Sequence, residues 1–217
     1  VSAVRTPIGA YCGMFREIPV EKLAAIALNA AVNKAGVKPV QVDDVVMSQA
    51  YANGEAPNLA RRALLDAGWP VEIPGLTLDR RCCSGLQAIW NATMQIQTDN
   101  ADIVVAGGAE SMSRAEFYVP GEFIKWGMGG KSDPKWGTLP RSHGSLALWG
   151  IPFYDRIQRG RPMHQPIERF GELNSMMTWA DTAAKNEGIS REDADKWALR
   201  SHQRAIAAWD SGKFKEE

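Results

Sequence analysis

Cysteine is scarce in this chain: three residues in 217, two of them adjacent. That is too few for a disulfide framework, and their spacing is not that of a zinc site. No excess of either charge is present, since 25 basic and 25 acidic side chains leave a formal net charge of zero. A nucleic-acid protein or a polybasic membrane anchor normally carries a basic surplus, so both classes are excluded. No run approaches the ~18–20 uninterrupted apolar residues of a membrane span, and the mean hydropathy is −0.27. Internal repeats, low-complexity tracts, a metal-ligand cluster and a recognisable signal peptide are likewise missing, and the opening at Val1 suggests that a natural start has been lost. What remains is 45% hydrophobic and 23% charged, the composition of a globular chain long enough for one or two cores. The expected compartment is reducing and cytoplasmic.

The first hundred residues alternate strand and helix patterns. Val1 to Val4 reads as the tail of a strand entering the turn Arg5-Thr6-Pro7-Ile8-Gly9. Over Glu21 to Ala35, Leu23, Ile26, Ala27 and Ala30 fall at helical spacing, with Gly36 as C-cap. Val42 to Ser48 reads as a strand, Asn58 to Ala67 as a helix stopped by Gly68, Leu76 to Leu78 as a strand, and Ser84 to Gln97 as a helix. Asp102 to Ala106 is a β-branched apolar run of the kind found in strands buried on both faces. Such alternation predicts an α/β domain over 1–114 with a mostly parallel, helix-covered sheet. Residues 115–189 begin with a long, irregular stretch rich in Gly, Pro and Trp, which reads as an inserted irregular or helical loop domain. Residues 190–217 carry a helix that starts on a Ser190/Asp193 capping box, repeats Ala194, Ala198, Ala205 and Trp209, and stops near Gly212.

The segment with chemical content is Arg80-Arg81-Cys82-Cys83-Ser84-Gly85, where a strand ends and a helix is about to begin. The unpaired amides of a helix's first turn favour a thiolate, and neighbouring arginines add to that effect. Gly85 lets another backbone or an acyl group approach closely. This is the setting of an activated nucleophile. A strand–cysteine–helix junction is also met as ordinary packing, and the local pattern leaves both open. Cys83 reads as a packing residue and Cys12 as a loop residue without an evident partner.

Five ordered motifs decide further. Arg81-Cys82-Cys83-Ser84-Gly85-Leu86-Gln87-Ala88 resembles the C-x-S-G-x-Q-A nucleophile motif of the thiolases. Ala3 to Gly9 resembles the family's A-x-R-T-P-x-G opening, and Asn58-Leu59-Ala60-Arg61 its N-x-A-R helix. Gly107 to Ser113 is similar to GGAESMS nearly letter for letter, and Ile189 to Phe214 to I-S-R-E-x-x-D…S-H-x-x-A…G-x-F. The resemblance implies an acyl-CoA C-acyltransferase that cleaves or forms β-ketoacyl-CoA through an acyl-cysteine. Cys82 would be the nucleophile and Met176 would touch the pantetheine or acyl portion. It implies coenzyme A thioesters as substrates, no separate cofactor, and a role in fatty-acid or ketone metabolism.

The resemblance also implies a second half holding N-x-x-G-G, a G-H-P histidine and a C-x-G-G-G cysteine. None of these occurs here, and His143, His164 and His202 do not stand in a G-H-P context. The chain is therefore expected to be the N-terminal portion, inactive in turnover by itself, whose partners are acyl-CoA or CoA and either a homo-oligomer or a C-terminal half or partner subunit. Nucleic acid and membrane are not expected partners. Met177, Trp179 and Asp181 depart from the family's M-G-x-T-A-E, and Asp79 from its usual asparagine, which points to an acyl group larger than acetoacetyl. Trp126, Trp136, Trp149, Phe153 and Tyr154 could line such a pocket or form a small satellite core. Lys125, Lys131, Lys135, Arg156, Arg159 and Arg161 could meet coenzyme A phosphates or lie solvated, and Gly127 to Gly130 reads as a turn. Two alternatives stay open: another Claisen-condensing member of the superfamily, and a non-catalytic CoA-binding or scaffold subunit.

Overall fold

The computed structural model describes residues 1–121, 153–160, 162–171 and 175–215. Its contacts divide the chain into two compact units, Val1–Arg114 with Asn174–Glu217, and Ala115–Leu173. Residues 174–189, read from sequence with the loop segment, group with the first unit.

In the first unit, α1 (Val20–Ala35) ends where Gly36 turns left-handed at φ 69°, a conformation that a side chain disfavours. There follow β1 (Asp44–Ser48), α2 (Leu59–Asp66), β2 (Gly75–Leu78), α3 (Ser84–Gln97) and β3 (Val104–Gly108). The three strands are parallel in the order β2-β1-β3, with Val45 opposite both Gly75 and Val105. Strand β1 is thus central, and its Val45, Val46 and Met47 are all buried. Alternation along the strand sends Val45 and Met47 into a core with Val20, Ala24, Leu28, Leu59, Leu64 and Trp69. Val46 points to the opposite face, the side on which α3 buries Ala88 and Ala92. Each fully buried leucine in the Val45/Met47 core, such as Leu59 or Leu64, contributes about 1.5–3 kcal/mol through its removal from water.

Three expectations are corrected. Val1–Val4 forms no strand; it lies along α1, where Ser2 Oγ donates to the Ala31 carbonyl at 3.1 Å and Lys34 Nζ to the Ala3 carbonyl at 3.2 Å. None of the described strands pairs with it, and a strand needs a partner for its backbone groups. Helix α1 buries the row Val20, Ala24, Leu28 and Val32, together with Leu23, and leaves Ile26 and Ala30 exposed. Strand β3 is half-buried throughout its apolar part, because among the described strands it lies at the sheet edge.

Two further helices complete this unit: α6 (Met176–Asn186), capped by Ser175 Oγ on the Thr178 amide, and α7 (Arg191–Asp210). Ser190 Oγ accepts from the Asp193 amide at 3.1 Å and donates to its carboxylate at 2.6 Å, so Ser190 caps the helix as expected, with the carboxylate on the serine hydroxyl in place of the backbone amide that a full capping box uses. No helix among the described residues is long and apolar enough to cross a membrane. In the second unit, β4 (Phe117–Tyr118) pairs antiparallel with β5 (Tyr154–Asp155), followed by the short helices α4 (Arg156–Gly160) and α5 (Ile167–Phe170).

Candidate active site

The chain passes from β1 to β2 on one side of the sheet and from β2 to β3 on the other, so the connections diverge at the carboxyl ends of the strands. In open α/β sheets this switch point is where a ligand finds a crevice. The segments leaving it are 49–51 after β1, 79–83 after β2 and 109–110 after β3.

Strand β2 is delivered there by the Asn58-Leu59-Ala60-Arg61 segment. Asn58 Oδ1 accepts from the Arg61 amide at 3.0 Å and from Thr77 Oγ1 at 2.8 Å, while Asn58 Nδ2 donates to the Gly75 carbonyl at 2.8 Å. Thr77 Oγ1 in turn accepts from the Ala60 amide at 2.9 Å. The Arg61 guanidinium donates to the carbonyls of Ile73 and Val71 at 2.6 and 2.9 Å. Helix start and strand are thereby locked together, with a backbone approach at Gly75 that leaves no room for a Cβ.

Past β2 the chain enters a 3-10 turn, Arg81–Cys83, and then α3. Cys82 lies in that turn, two residues ahead of the helix, and is exposed. Arg80 donates its amide to Ser84 Oγ at 2.6 Å and its guanidinium to Gln87 Oε1 at 2.6 Å, which ties the turn to the helix. Cys83 is also exposed, contrary to its reading as a packing residue: the tight turn projects both thiols away from the core. Cys12 is a third free thiol, and its backbone amide donates to Ser113 Oγ at 2.8 Å.

Glu110 was not singled out in the sequence, and Arg81, expected there only to favour the thiolate, makes further contacts. Glu110 Oε2 accepts from the amides of Ala50 and Tyr51 at 2.7 and 3.3 Å. Its carboxyl is packed under that backbone although the residue as a whole stays exposed; this partial burial lifts its proton affinity above the ordinary glutamate value, against the pull of the two amides. Arg81 has φ 49°, rare for a residue with a Cβ, and its side chain reaches the Ala50 carbonyl and Asp79. A glutamate two residues after a strand-ending Gly-Gly is visible in the sequence; that its partners are amides about sixty residues away is not.

Met176 is the first residue of α6 and is exposed, as are Met177 and Trp179. No hydrogen bond joins Met176 to Cys82. In the second unit, Tyr154 stacks on Tyr118 with ring centroids 5.8 Å apart and lies under the Arg159 guanidinium, while Phe153 is exposed. Arg156 pairs with Glu116 at 3.1 Å. His202 is on the exposed surface of α7. Trp126, Trp136, Trp149, Lys125, Lys131, Lys135, His143, Arg161 and Gly127 to Gly130 lie outside the described residues.

Together these features define a parallel α/β domain that presents an exposed cysteine at the carboxyl edge of its sheet. The chain belongs to the thiolase family: the model described as "Thiolase, N-terminal domain" matches residues 1–217. It is 37% identical to an acetyl-CoA acetyltransferase of Cupriavidus necator, over all of this chain and 49% of that protein. The mitochondrial acetyl-CoA acetyltransferase of Rattus norvegicus is 33% identical over all of this chain and 45% of its own length. Among solved structures, the Bacillus anthracis acetyl-CoA acetyltransferase superposes with a TM-score of 0.77 at 33% identity, covering 99% of this chain and 48% of that one. The chain thus spans about half the length of the relatives it matches.

Proposed function

We propose that this chain forms the N-terminal half of an acyl-CoA C-acyltransferase in which Cys82 carries the acyl group. The observation behind the proposal is an exposed thiol in the turn that opens α3, at the switch point of a parallel sheet, in a chain of the thiolase family. In the cleaving direction, Cys82 Sγ attacks the keto carbon of a β-ketoacyl-CoA. The bond between that carbon and its α-carbon breaks, the departing acetyl-CoA carbanion takes up a proton, and a thioester is left on the cysteine. The sulfur of free coenzyme A then attacks that thioester, releasing acyl-CoA and regenerating the cysteine, while the coenzyme A thiol proton passes to a base. Covalent capture divides one difficult carbon–carbon cleavage into two easier transfers. Base and proton donor belong to the C-terminal portion, so 1–217 alone binds or captures an acyl group without turnover.

Met176, Met177 and Trp179, on the first turn of α6, supply exposed apolar surface for the pantetheine or an acyl chain larger than acetoacetyl. The three free thiols support a reducing compartment, for which we keep the cytoplasm.

Peptide-level mass spectrometry of the full-length protein after brief exposure to acetyl-CoA tests the nucleophile. An acetyl group on Cys82, absent from a Cys82→Ser variant, is expected. Folded protein that acquires none would overturn the assignment and favour a non-catalytic subunit.

A further inference from the structure

Resting on Cys82 as nucleophile, we propose that Arg81 is its positioning residue, a clasp that draws on the carboxyl ends of all three strands of the sheet. The backbone at Arg81 is left-handed, φ 49°, a conformation costly for any residue with a Cβ. It is nevertheless the step that turns the chain from β2 into the 3-10 turn bearing Cys82. Something must hold it there, and the side chain has the contacts to do so. Asp79 Oδ1 accepts from the Arg81 amide at 2.7 Å, and Asp79 Oδ2 pairs with Arg81 Nη1 at 3.0 Å. The same Nη1 donates to the Ala50 carbonyl just past β1, and the guanidinium lies 5.3 Å from the Tyr51 ring centroid.

Residues 50 and 51 are fixed from their other side by Glu110, two residues past β3, whose Oε2 accepts both of their amides. One guanidinium therefore connects the ends of β1 and β2, and one carboxylate fixes the β1 end to β3. Asp79, where the family commonly has asparagine, fits this arrangement: its amide-accepting oxygen caps the turn, and its second oxygen supplies the counter-charge that asparagine lacks. Both contacts leave Nη1 of a planar guanidinium that also faces the Tyr51 ring, a combination that a lysine ammonium on a flexible stem does not reproduce.

Glycine is the informative substitution, because Arg81→Gly relaxes the backbone while deleting the clasp. The test is the rate of iodoacetamide alkylation at Cys82 in the full-length protein, resolved by peptide mass spectrometry, with thermal melting in parallel. Wild-type Cys82 should react faster than a free model thiol. Arg81→Gly should react at least about tenfold slower with an unchanged or higher melting temperature, and Arg81→Lys should fall between the two. Glu110→Ala should also slow the reaction, and Glu110→Gln, which keeps an accepting oxygen, should restore it. Wild-type reactivity in Arg81→Gly would overturn the clasp, and so would wild-type reactivity in Arg81→Lys, which would reduce Arg81 to a charge. If wild-type Cys82 is no faster than the model thiol, the nucleophile assignment itself falls and the clasp falls with it.

Discussion

Gly85 separates stability from function more sharply than any other position near the cysteine. It is the second residue of α3, and a Cβ built on it meets no heavy atom within 4 Å. On helix propensity alone, Gly85→Ala removes unfolded-state freedom and should stabilise the fold by about 0.5–1 kcal/mol. For a chain of this size that corresponds to a rise in melting temperature of about 1–4 °C. The same methyl group would project into the open space beside the turn bearing Cys82, where the proposed acyl thioester would approach. If a bound acyl group fills that space closely, the extra methyl costs it about 1–3 kcal/mol, which corresponds to an acyl transfer slowed by about 5- to 150-fold. Calorimetry and the rate of acyl capture from acetyl-CoA, both on the full-length protein, read the two effects independently. A stabilised variant with an undiminished capture rate would refute the use of this space by substrate. A destabilised variant would refute the account of α3's first turn.

Gly75→Ala should behave in the opposite way. Its Cβ would meet the Arg61 amide nitrogen at 2.7 Å and the Arg61 Cα at 2.9 Å, backbone atoms that cannot swing aside, so urea unfolding should show a loss of about 1–3 kcal/mol; a smaller change would mean that α2 and β2 are free to separate. Asn58→Ala removes the N-cap of α2 and leaves the Gly75 carbonyl without its donor, for an expected loss of about 1–2 kcal/mol in the same assay; Asn58→Asp, which keeps the accepting oxygens, should recover part of it. Because Glu110 has a proton affinity raised by folding, its ionisation opposes the folded state as pH climbs from the ordinary glutamate range through the raised value. Glu110→Gln cannot ionise, so its melting temperature should exceed that of wild type at neutral pH, with the gap closing below about pH 4; a gap that ignores pH would contradict the upward shift.

The sequence by itself determined the features whose causes are local. The end of α1 at Gly36, the start of α2 at Asn58 and the Ser190 cap of α7 each depend on contacts within a few residues, and each formed where its residue types required. The helix Ser84–Gln97 appeared with the expected bounds, and with it the placement of Cys82 just ahead of a helix, because an ordered motif encodes a strand–turn–helix junction. Tertiary structure alone decided what depends on partners distant in sequence. Helix α1 holds two overlapping apolar stripes, and packing chose the one through Val20, Ala24, Leu28 and Val32. β-Branched residues made β1 and β3 look alike, yet the strand order buried the first and left the second at an edge. The left-handed turn at Arg81 and the capture of the Ala50 and Tyr51 amides by Glu110 arise only when the ends of three strands converge. Hydrogen bonds across about thirty to sixty residues leave no periodic trace in a sequence, and they join the strand ends around the turn that bears Cys82.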